Sequence, residues 1–310
     1  YSKFFHPRYI YKYGQQLHRE FHYDLMTSHD FGTLYIGWGA YFLAKKTQIP
    51  WISEIHHIPG IPRQATIRDL LDQKWLFYYV RKVCPQVSAF RVVNQKQVPE
   101  VLKSLGIPES KIRVLYSAYL DLEIFAPDAS ISKCYDLVFC GRLVPNKGIF
   151  LLLKALKQLL SKYPQIQLAM IGEGPLKKSL QKFAEQQHLS QNIQWLGWVP
   201  STQELARIYN QSKVLVSPSF HEGGPRVTLE ALACGTPVIC TRVGIMNEIL
   251  QEGQTGYFTE WTPEDIASKI TQVLDSSWSS EKRALCRQSV QHLEKNRIVA
   301  DYAQGLIRCI

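Results

Sequence analysis

The sequence lacks any apolar run of the ~18 residues that a membrane-spanning helix requires, so no helix in it should cross a bilayer. Its opening, Tyr1-Ser-Lys-Phe-Phe-His-Pro-Arg8, lacks both an initiator Met and the charged-then-apolar order of a secretory leader, and predicts a chain that begins inside a longer product. The seven cysteines, at 84, 134, 140, 234, 240, 286 and 309, form no CxxC pair. An odd count at such spacings argues against a disulfide framework and against zinc, and most of these cysteines stand beside apolar runs, where the thiol acts as a small hydrophobe. A reducing cytoplasm is the simplest home. Low-complexity tracts and solenoid repeats are absent too, which excludes a disordered or repeat architecture. Acidic residues are few: 26 against 36 basic ones, for a net charge of +10 and a pI near 9.2. That balance favours nucleotide phosphates or acidic lipid headgroups as partners. Nucleic acid is disfavoured, because no recognised binding motif accompanies the charge.

What is present reads as a soluble α/β protein. Hydrophobic residues make up 45% of the chain and charged ones 20%, and its 310 residues exceed what one core usually organises, so two domains are expected. From Asp136 onward, short apolar runs alternate with helical periodicity. Leu137–Cys140, Ile166–Ile171, Ile193–Leu196, Val214–Val216 and Val238–Cys240 read as buried strands, with helices over Phe150–Leu160 and Leu176–Gln187. Such alternation predicts right-handed βαβ units and an open, doubly wound parallel sheet. Earlier in the chain, Tyr23–Thr27, Trp51–Ile55, Ala89–Val93 and Ile112–Leu115 read as strands and Tyr35–Lys46 and Val98–Leu105 as helices. Phe125–Ser132 is short, polar and Pro-containing, the best linker candidate. The expected division is residues 1–130, 131–295 and a C-terminal helix over 296–310 that could cross back to the first domain.

Ligands of open α/β sheets bind beyond the carboxyl ends of the strands. After the first strand of the second half comes Gly141-Arg142-Leu-Val-Pro-Asn-Lys147-Gly148, where tight turns and two cations ahead of a helix suit a diphosphate or else make a plain surface loop. Gly172-Glu-Gly-Pro175 and Gly197-Trp198-Val-Pro200 taken alone are turns. The segment Ser217 to Pro237 says more. Pro225 fits the first turn of a helix that Gly235 would stop, which puts Glu222 just ahead of it and Glu230 about a turn and a half in. Gly223 and Gly224 bring backbone N–H groups to the positive end of that helix. Anion donors flanked by carboxylates that accept from hydroxyls suit a sugar nucleotide.

On these residues the chain resembles glycosyltransferase family 4. The match comprises the Glu-x7-Glu spacing of Glu222 and Glu230 with the Glu-Ala-Leu-Ala-Cys-Gly-Thr-Pro-Val-Ile stretch, Gly141-Arg-Leu, Lys147-Gly, Gly172-Glu-Gly-Pro and Gly253-Gln-Thr-Gly256, in the family's order over more than a hundred residues. The resemblance implies a GT-B fold of two facing Rossmann-like domains and a retaining transfer of a hexose-type sugar. The donor would be a nucleotide diphosphate sugar, of UDP or GDP type, and the acceptor a carbohydrate, lipid-linked or other hydroxyl. It implies that Arg142 and Lys147 hold the diphosphate, Glu230 the ribose, Glu222 with Gly223 and Gly224 the donor sugar, and that Gly172 and Trp198 belong to the donor site, residues near Trp198 lining the base slot. No metal or other cofactor is implied, and no Asp-x-Asp motif is present. In the first half, Pro50-Trp-Ile-Ser-Glu-Ile-His56 is similar to the segment that delivers a catalytic histidine, with His57 beside it as a competing choice. His29 fits an earlier His-containing segment or is a structural histidine. Ser117-Ala118 stands where Asn-Gly is usual. The family's opening strand and Gly-rich loop are missing, so the resemblance implies an N-terminally incomplete member or a natural short form. An epimerase or phosphorylase on the same fold, a non-catalytic nucleotide-sugar binder, and peripheral contact with the inner face of an anionic membrane stay open.

Overall fold

A computed structural model describes residues 6–30, 35–117, 119–276 and 278–309. The chain divides into two compact units, Tyr1–Ser117 with Ile298–Ile310, and Ala118–Arg297.

The first unit runs α1 (His6–Phe21), β1 (Met26–His29), α2 (Tyr35–Thr47), β2 (Trp51–Ile55), α3 (Ile67–Val83), β3 (Ala89–Val92), α4 (Gln97–Ser104) and β4 (Ile112–Val114). The strands form one parallel sheet in the order β1-β2-β3-β4. Every residue of β2 and β3 is buried, as expected of parallel strands that carry helices on their faces. Trp51, Phe90, Tyr79 and Leu102 fill the core between sheet and helices. α3 starts at a capping box in which Thr66 accepts from the Asp69 N–H and Asp69 accepts from the Thr66 N–H. The strand expected over Tyr23–Thr27 forms three residues later. Pairing along β2 sets Met26 opposite Trp51 and His29 opposite Glu54, so His29 ends the strand instead of following it.

The second unit runs β5 (Tyr135–Cys140), α5 (Ile149–Leu159), β6 (Leu168–Ile171), α6 (Lys177–Gln186), β7 (Ile193–Gly197), α7 (Thr202–Gln211), β8 (Ser212–Ser217), α8 (Arg226–Ala233), β9 (Val238–Cys240), α9 (Met246–Ile249), β10 (Gly256–Phe258), α10 (Pro263–Asp275) and α11 (Ser280–Val290). Its sheet is parallel throughout, in the order β10-β9-β8-β5-β6-β7. Leu137, Phe139, Met170 and Val216 pack against Leu152 and Leu156 of α5 and Ile266 and Ile270 of α10. Each such side chain contributes about 1.5–3 kcal/mol by leaving water. The chain first builds outward from β5 through β6 to β7, then returns to the other side of β5 with β8. The switch point therefore lies between β5 and β8, and the loops leaving their carboxyl ends diverge there.

The segment read as a linker is held on the second unit. Phe125 is buried beside Tyr209, the Asp128 N–H donates to Asn210 Oδ1 at 2.9 Å, and Arg287 donates to the carbonyls of Leu122 and Phe125. The last helix, α12 (Lys295–Ile307), starts in the second unit, and its residues from Ile298 belong to the first, where Gly305 lies against Leu115. Ala118, half of the Ser117-Ala118 turn, lies outside the described residues.

Candidate active site

Three of the four loops singled out in the sequence meet at the switch point. The loop after β5 carries Arg142 and Lys147, the one after β8 carries Glu222, and Gly148 joins them. Its φ is +66°, and a Cβ there would fall on the carbonyl of Pro218, so only glycine lets the two loops approach this closely. The Phe220 N–H donates to the Asn146 carbonyl at 2.7 Å, a second tie between the loops. Gly172, after β6, is of the same kind: φ is +131°, and a Cβ would fall on the carbonyl of Gly141. Gly172 thus shapes the floor of the first loop by backbone packing.

This framework brings Lys147 Nζ onto Glu222 Oε1, with both side chains mostly buried. No other hydrogen bond or ion pair engages Lys147 among the described residues. Arg142 is exposed, and its guanidinium makes neither kind of contact among the described residues. Just beyond, α8 begins at Pro225, whose φ of −68° suits a helix start. Gly224 is half-buried ahead of it. Gly223 is buried, and its carbonyl accepts from the Ile245 N–H at 3.1 Å. Glu230, on the first turns of α8, is buried. Its Oε1 meets Arg226 Nε at 2.9 Å, and its Oε2 accepts from Tyr209 at 3.1 Å. Burial raises the carboxyl above its usual range, opposed by the Arg226 charge and the Tyr209 hydrogen bond. Arg226 also lies 4.9 Å over the Tyr119 ring. The structure joins Lys147 to Glu222 and Glu230 to Arg226 but does not gather Trp198, which is 74% exposed after β7 at the far edge of the sheet.

The first unit places His56 just past β2. Its Nε2 lies 3.2 Å from both Glu54 Oε2 and Arg91 Nη1, and its ring packs edge-on against His29 with centroids 4.1 Å apart. Glu54 also takes Arg91 Nη1 at 2.6 Å and the Tyr302 hydroxyl at 2.9 Å. Burial alone would raise Glu54, but the contacts from His56, Arg91 and Tyr302 outweigh it and hold the carboxyl down at about 2. Burial, and next to it His56, lower His29. Ligand atoms of His29, Glu54 and His56 lie within 4.8 Å of one another, a spacing a metal ion can use. The arrangement fits a cation poorly, because both Glu54 oxygens are engaged and the Arg91 guanidinium stands beside His56. Glu54, Arg91 and Tyr302 were not singled out in the sequence. A charge inside each of the buried strands Trp51–Ile55 and Ala89–Val92 was the available signal, since such charges require partners.

Behind this cluster, Asp30 is buried. Its Oδ2 accepts from Ser28 at 3.0 Å, Tyr79 at 2.8 Å and Ser53, while Oδ1 has no hydrogen-bond partner among the described residues. Burial pushes its carboxyl up to about 6 against those three hydrogen bonds.

Comparison with known proteins shows the family and the fold. Residues 122–292 match the family model described as "Glycosyl transferases group 1", and residues 2–119 match "Glycosyltransferase Family 4". The chain is 28% identical over 274 residues to a D-inositol 3-phosphate glycosyltransferase of Corynebacterium jeikeium, covering 80% of this chain and 63% of that protein. It thus spans less than two thirds of that relative. Among solved structures, the sucrose-phosphate synthase of Thermosynechococcus elongatus superposes with a TM-score of 0.84 at 22% identity, over 97% of this chain and 77% of that one. Anabaena Alr3699/HepE, crystallised with UDP and glucose, superposes with a TM-score of 0.75 at 20% identity, over 95% and 79%. These two likenesses establish a GT-B type α/β fold of two parallel-sheet domains.

Proposed function

We propose that this chain, which belongs to the family of glycosyl transferases group 1, is a retaining glycosyltransferase that moves a sugar from a nucleoside diphosphate, of UDP type, to a hydroxyl acceptor. The observation that carries the reading is the Lys147–Glu222 pair at the switch point between β5 and β8, beside the exposed guanidinium of Arg142. Among the described residues Lys147 has a single partner there, and a diphosphate is a better one. When a donor binds, Lys147 and Arg142 take its phosphates, and Glu222 is released to accept from hydroxyls of the sugar. The N-terminus of α8 adds backbone donors to the same charge. Glu230, buried one turn further on, accepts from the ribose. In the reaction the bond from the anomeric carbon to the diphosphate breaks, and one to the acceptor oxygen forms on the same face. The acceptor proton passes to the departing diphosphate oxygen, and the charge left on the diphosphate is stabilised by Arg142, Lys147 and the helix end. Electrostatic stabilisation of this type is the largest single contribution in many enzymes. His56, fixed by Glu54 and Arg91, is the catalytic residue we assign to the first unit.

Support for a UDP-type donor comes from Anabaena Alr3699/HepE, which was solved with UDP and glucose. The test is thermal melting with UDP, GDP, ADP and CDP in parallel, followed by sugar transfer from the matching donor. A ligand at a hundredfold excess over its Kd stabilises by about 2.7 kcal/mol, readily seen in a melt. Glu222→Ala is expected to abolish transfer and to leave UDP binding within about threefold of wild type. Normal transfer by that variant would remove Glu222 from the site, and the absence of a shift with every nucleotide would remove the donor reading.

A further inference from the structure

The second unit holds another charged cavity, of about 590 Å³, at the opposite end of the same strands. Lys133 stands just ahead of β5, and Asn210 just ahead of β8, whereas Lys147 and Glu222 follow the carboxyl ends of those strands. Strands of six residues separate the two ends by roughly 20 Å, so the cavity is not part of the donor site.

Its lining is unbalanced in charge. Lys133, Arg283 and Arg287 face it, with Asp128 as the one carboxylate among the lining residues. The Lys133 ammonium donates to the carbonyls of Asn210 at 2.6 Å and Ser212 at 2.8 Å. Arg287 donates to the carbonyls of Phe125 at 2.8 Å, Ala233 at 3.1 Å and Leu122 at 2.8 Å. Carbonyls orient a cation but leave its charge in place. Arg283 makes no side-chain hydrogen bond or ion pair among the described residues. Asp128 is exposed and already accepts from the Ser130 N–H at 2.9 Å and hydroxyl at 2.6 Å. The lining thiol, Cys234, is neutral because burial pushes it up to about 12. Burial, and then the nearby Arg283 charge, bring the Lys133 ammonium down to about 8. That is the direction expected of a cation held among other cations without a counter-ion. The helix α11 lines the cavity with one face over two turns, through Ser280, Arg283, Ala284 and Arg287.

We propose that this cavity is a second anion site that binds a compact phosphate-bearing ligand, distinct from the site of the donor diphosphate. A phosphate dianion matches the surplus of two positive charges, which follows from three cations less one carboxylate in the lining. Planar guanidinium groups suit its oxygens in paired hydrogen bonds. The volume falls in the usual range for small-molecule sites, about 300–1,000 Å³, and exceeds what a bare phosphate fills. A sugar phosphate is therefore a better fit than the inorganic ion. The phosphate can arrive on a free metabolite or on a lipid headgroup.

The test is isothermal titration of the full chain with glucose 6-phosphate and with inorganic phosphate, in an Arg142→Ala/Lys147→Ala background that removes both cations of the proposed diphosphate site. Saturable binding is expected, weakened at least about tenfold by Arg283→Ala and partly restored by Arg283→Lys. Among the described residues these variants break no hydrogen bond or ion pair of the Arg283 side chain, and an unchanged urea melt checks that they fold as the parent does. Flotation with phosphatidate vesicles separates the sources. Vesicle binding lost in Arg283→Ala, without heat from the soluble ligands, would place the phosphate on a lipid. No binding in either arm, or binding that ignores Arg283, would overturn the proposal. The result is independent of whether UDP binds at the switch point, because the UDP titration reads Lys147 and this one reads Arg283.

Discussion

In the first unit Glu54 is bound by Arg91, and in the second Glu222 is bound by Lys147, yet the two pairs differ in what surrounds them. Arg91 Nη1 lies 2.6 Å from Glu54, and its Nε and Nη2 go to the carbonyls of Leu115 at 3.1 Å and Tyr116 at 3.2 Å. The other Glu54 oxygen takes Tyr302, and the Tyr302 ring lies 4.4 Å under the guanidinium. Both charges are almost wholly withdrawn from water, and every nitrogen of Arg91 and both oxygens of Glu54 are engaged. Lys147 has Glu222 and nothing else among the described residues, on loops whose side chains keep some contact with solvent. The closed pair can only hold its neighbours in place, whereas the open one can exchange partners. A carboxylate beside a cation therefore identifies a binding site only when a donor is left over.

The largest effect should come from breaking the closed pair. Arg91→Met leaves Glu54 buried without its counter-charge, and the loss should be about 3–5 kcal/mol in urea unfolding of the first unit. A loss below about 1 kcal/mol would show that water reaches Glu54 and that the pair is not closed.

Two buried carboxylates in the same unit should act oppositely on pH. Glu54 is held at about 2 against an ordinary 4.5, so its stabilisation is complete above about pH 4.5 and is lost as pH falls toward 2. With allowance for solvent screening this amounts to about 2 kcal/mol. Asp30 is raised to about 6 from an ordinary 3.8, so the folded state holds a proton that the unfolded chain has released. Stability should therefore fall as pH rises from about 4 to about 6, by about 3 kcal/mol in all. Asp30→Asn should flatten that upper window and leave the acid limb in place, whereas Glu54→Gln should flatten the acid limb alone. An unchanged slope between pH 4 and 6 in Asp30→Asn would assign it to another group.

The second unit was the more legible in the sequence, for a physical reason. Its central strands are buried on both faces and so read as unbroken apolar runs, as in Leu168–Ile171, and its site residues lie on loops that follow them directly. In the first unit α1 is amphipathic, with Ile10, Tyr13, Leu17 and Phe21 at helical spacing and Ile10 against Gly39 of α2, yet it was not anticipated, because none of its residues is fully buried and polar residues interrupt the pattern. Nor was α3, although its Thr66–Asp69 capping box was there to be read. The His56 cluster was half legible. The histidine stands just past an apolar strand, but Arg91 lies 37 residues from Glu54 and Tyr302 lies 248 from it, so only folding makes them neighbours. The cations around the second cavity were hidden in the same way, since Lys133 and Arg283 read singly as solvated charges.

Breaking the open pair should change binding more than stability. Lys147→Ala should weaken UDP binding by about 1.5–3 kcal/mol, roughly 10- to 150-fold, the range for a charged hydrogen bond. The unfolding free energy should change by less than about 1 kcal/mol, because the pair keeps some exposure. Titration of UDP beside a urea melt of the same sample measures both. A large loss of stability without a loss of affinity would make this pair closed like the other.

The smallest effect concerns Trp198, which is tied to neither pair. At 74% exposure its replacement should leave stability within about 0.5 kcal/mol of the parent. If its ring stacks on the base of the donor, Trp198→Ala should weaken UDP binding by about 0.5–1.5 kcal/mol, the scale of an aromatic contact. Pyrophosphate carries no base and engages only the diphosphate side of the site, so its affinity should not change. Lys147→Ala should weaken both ligands alike. Equal losses of UDP and pyrophosphate in Trp198→Ala would mean that the exposed ring acts through the loops and not on the base, and UDP bound as tightly as before would place the base elsewhere.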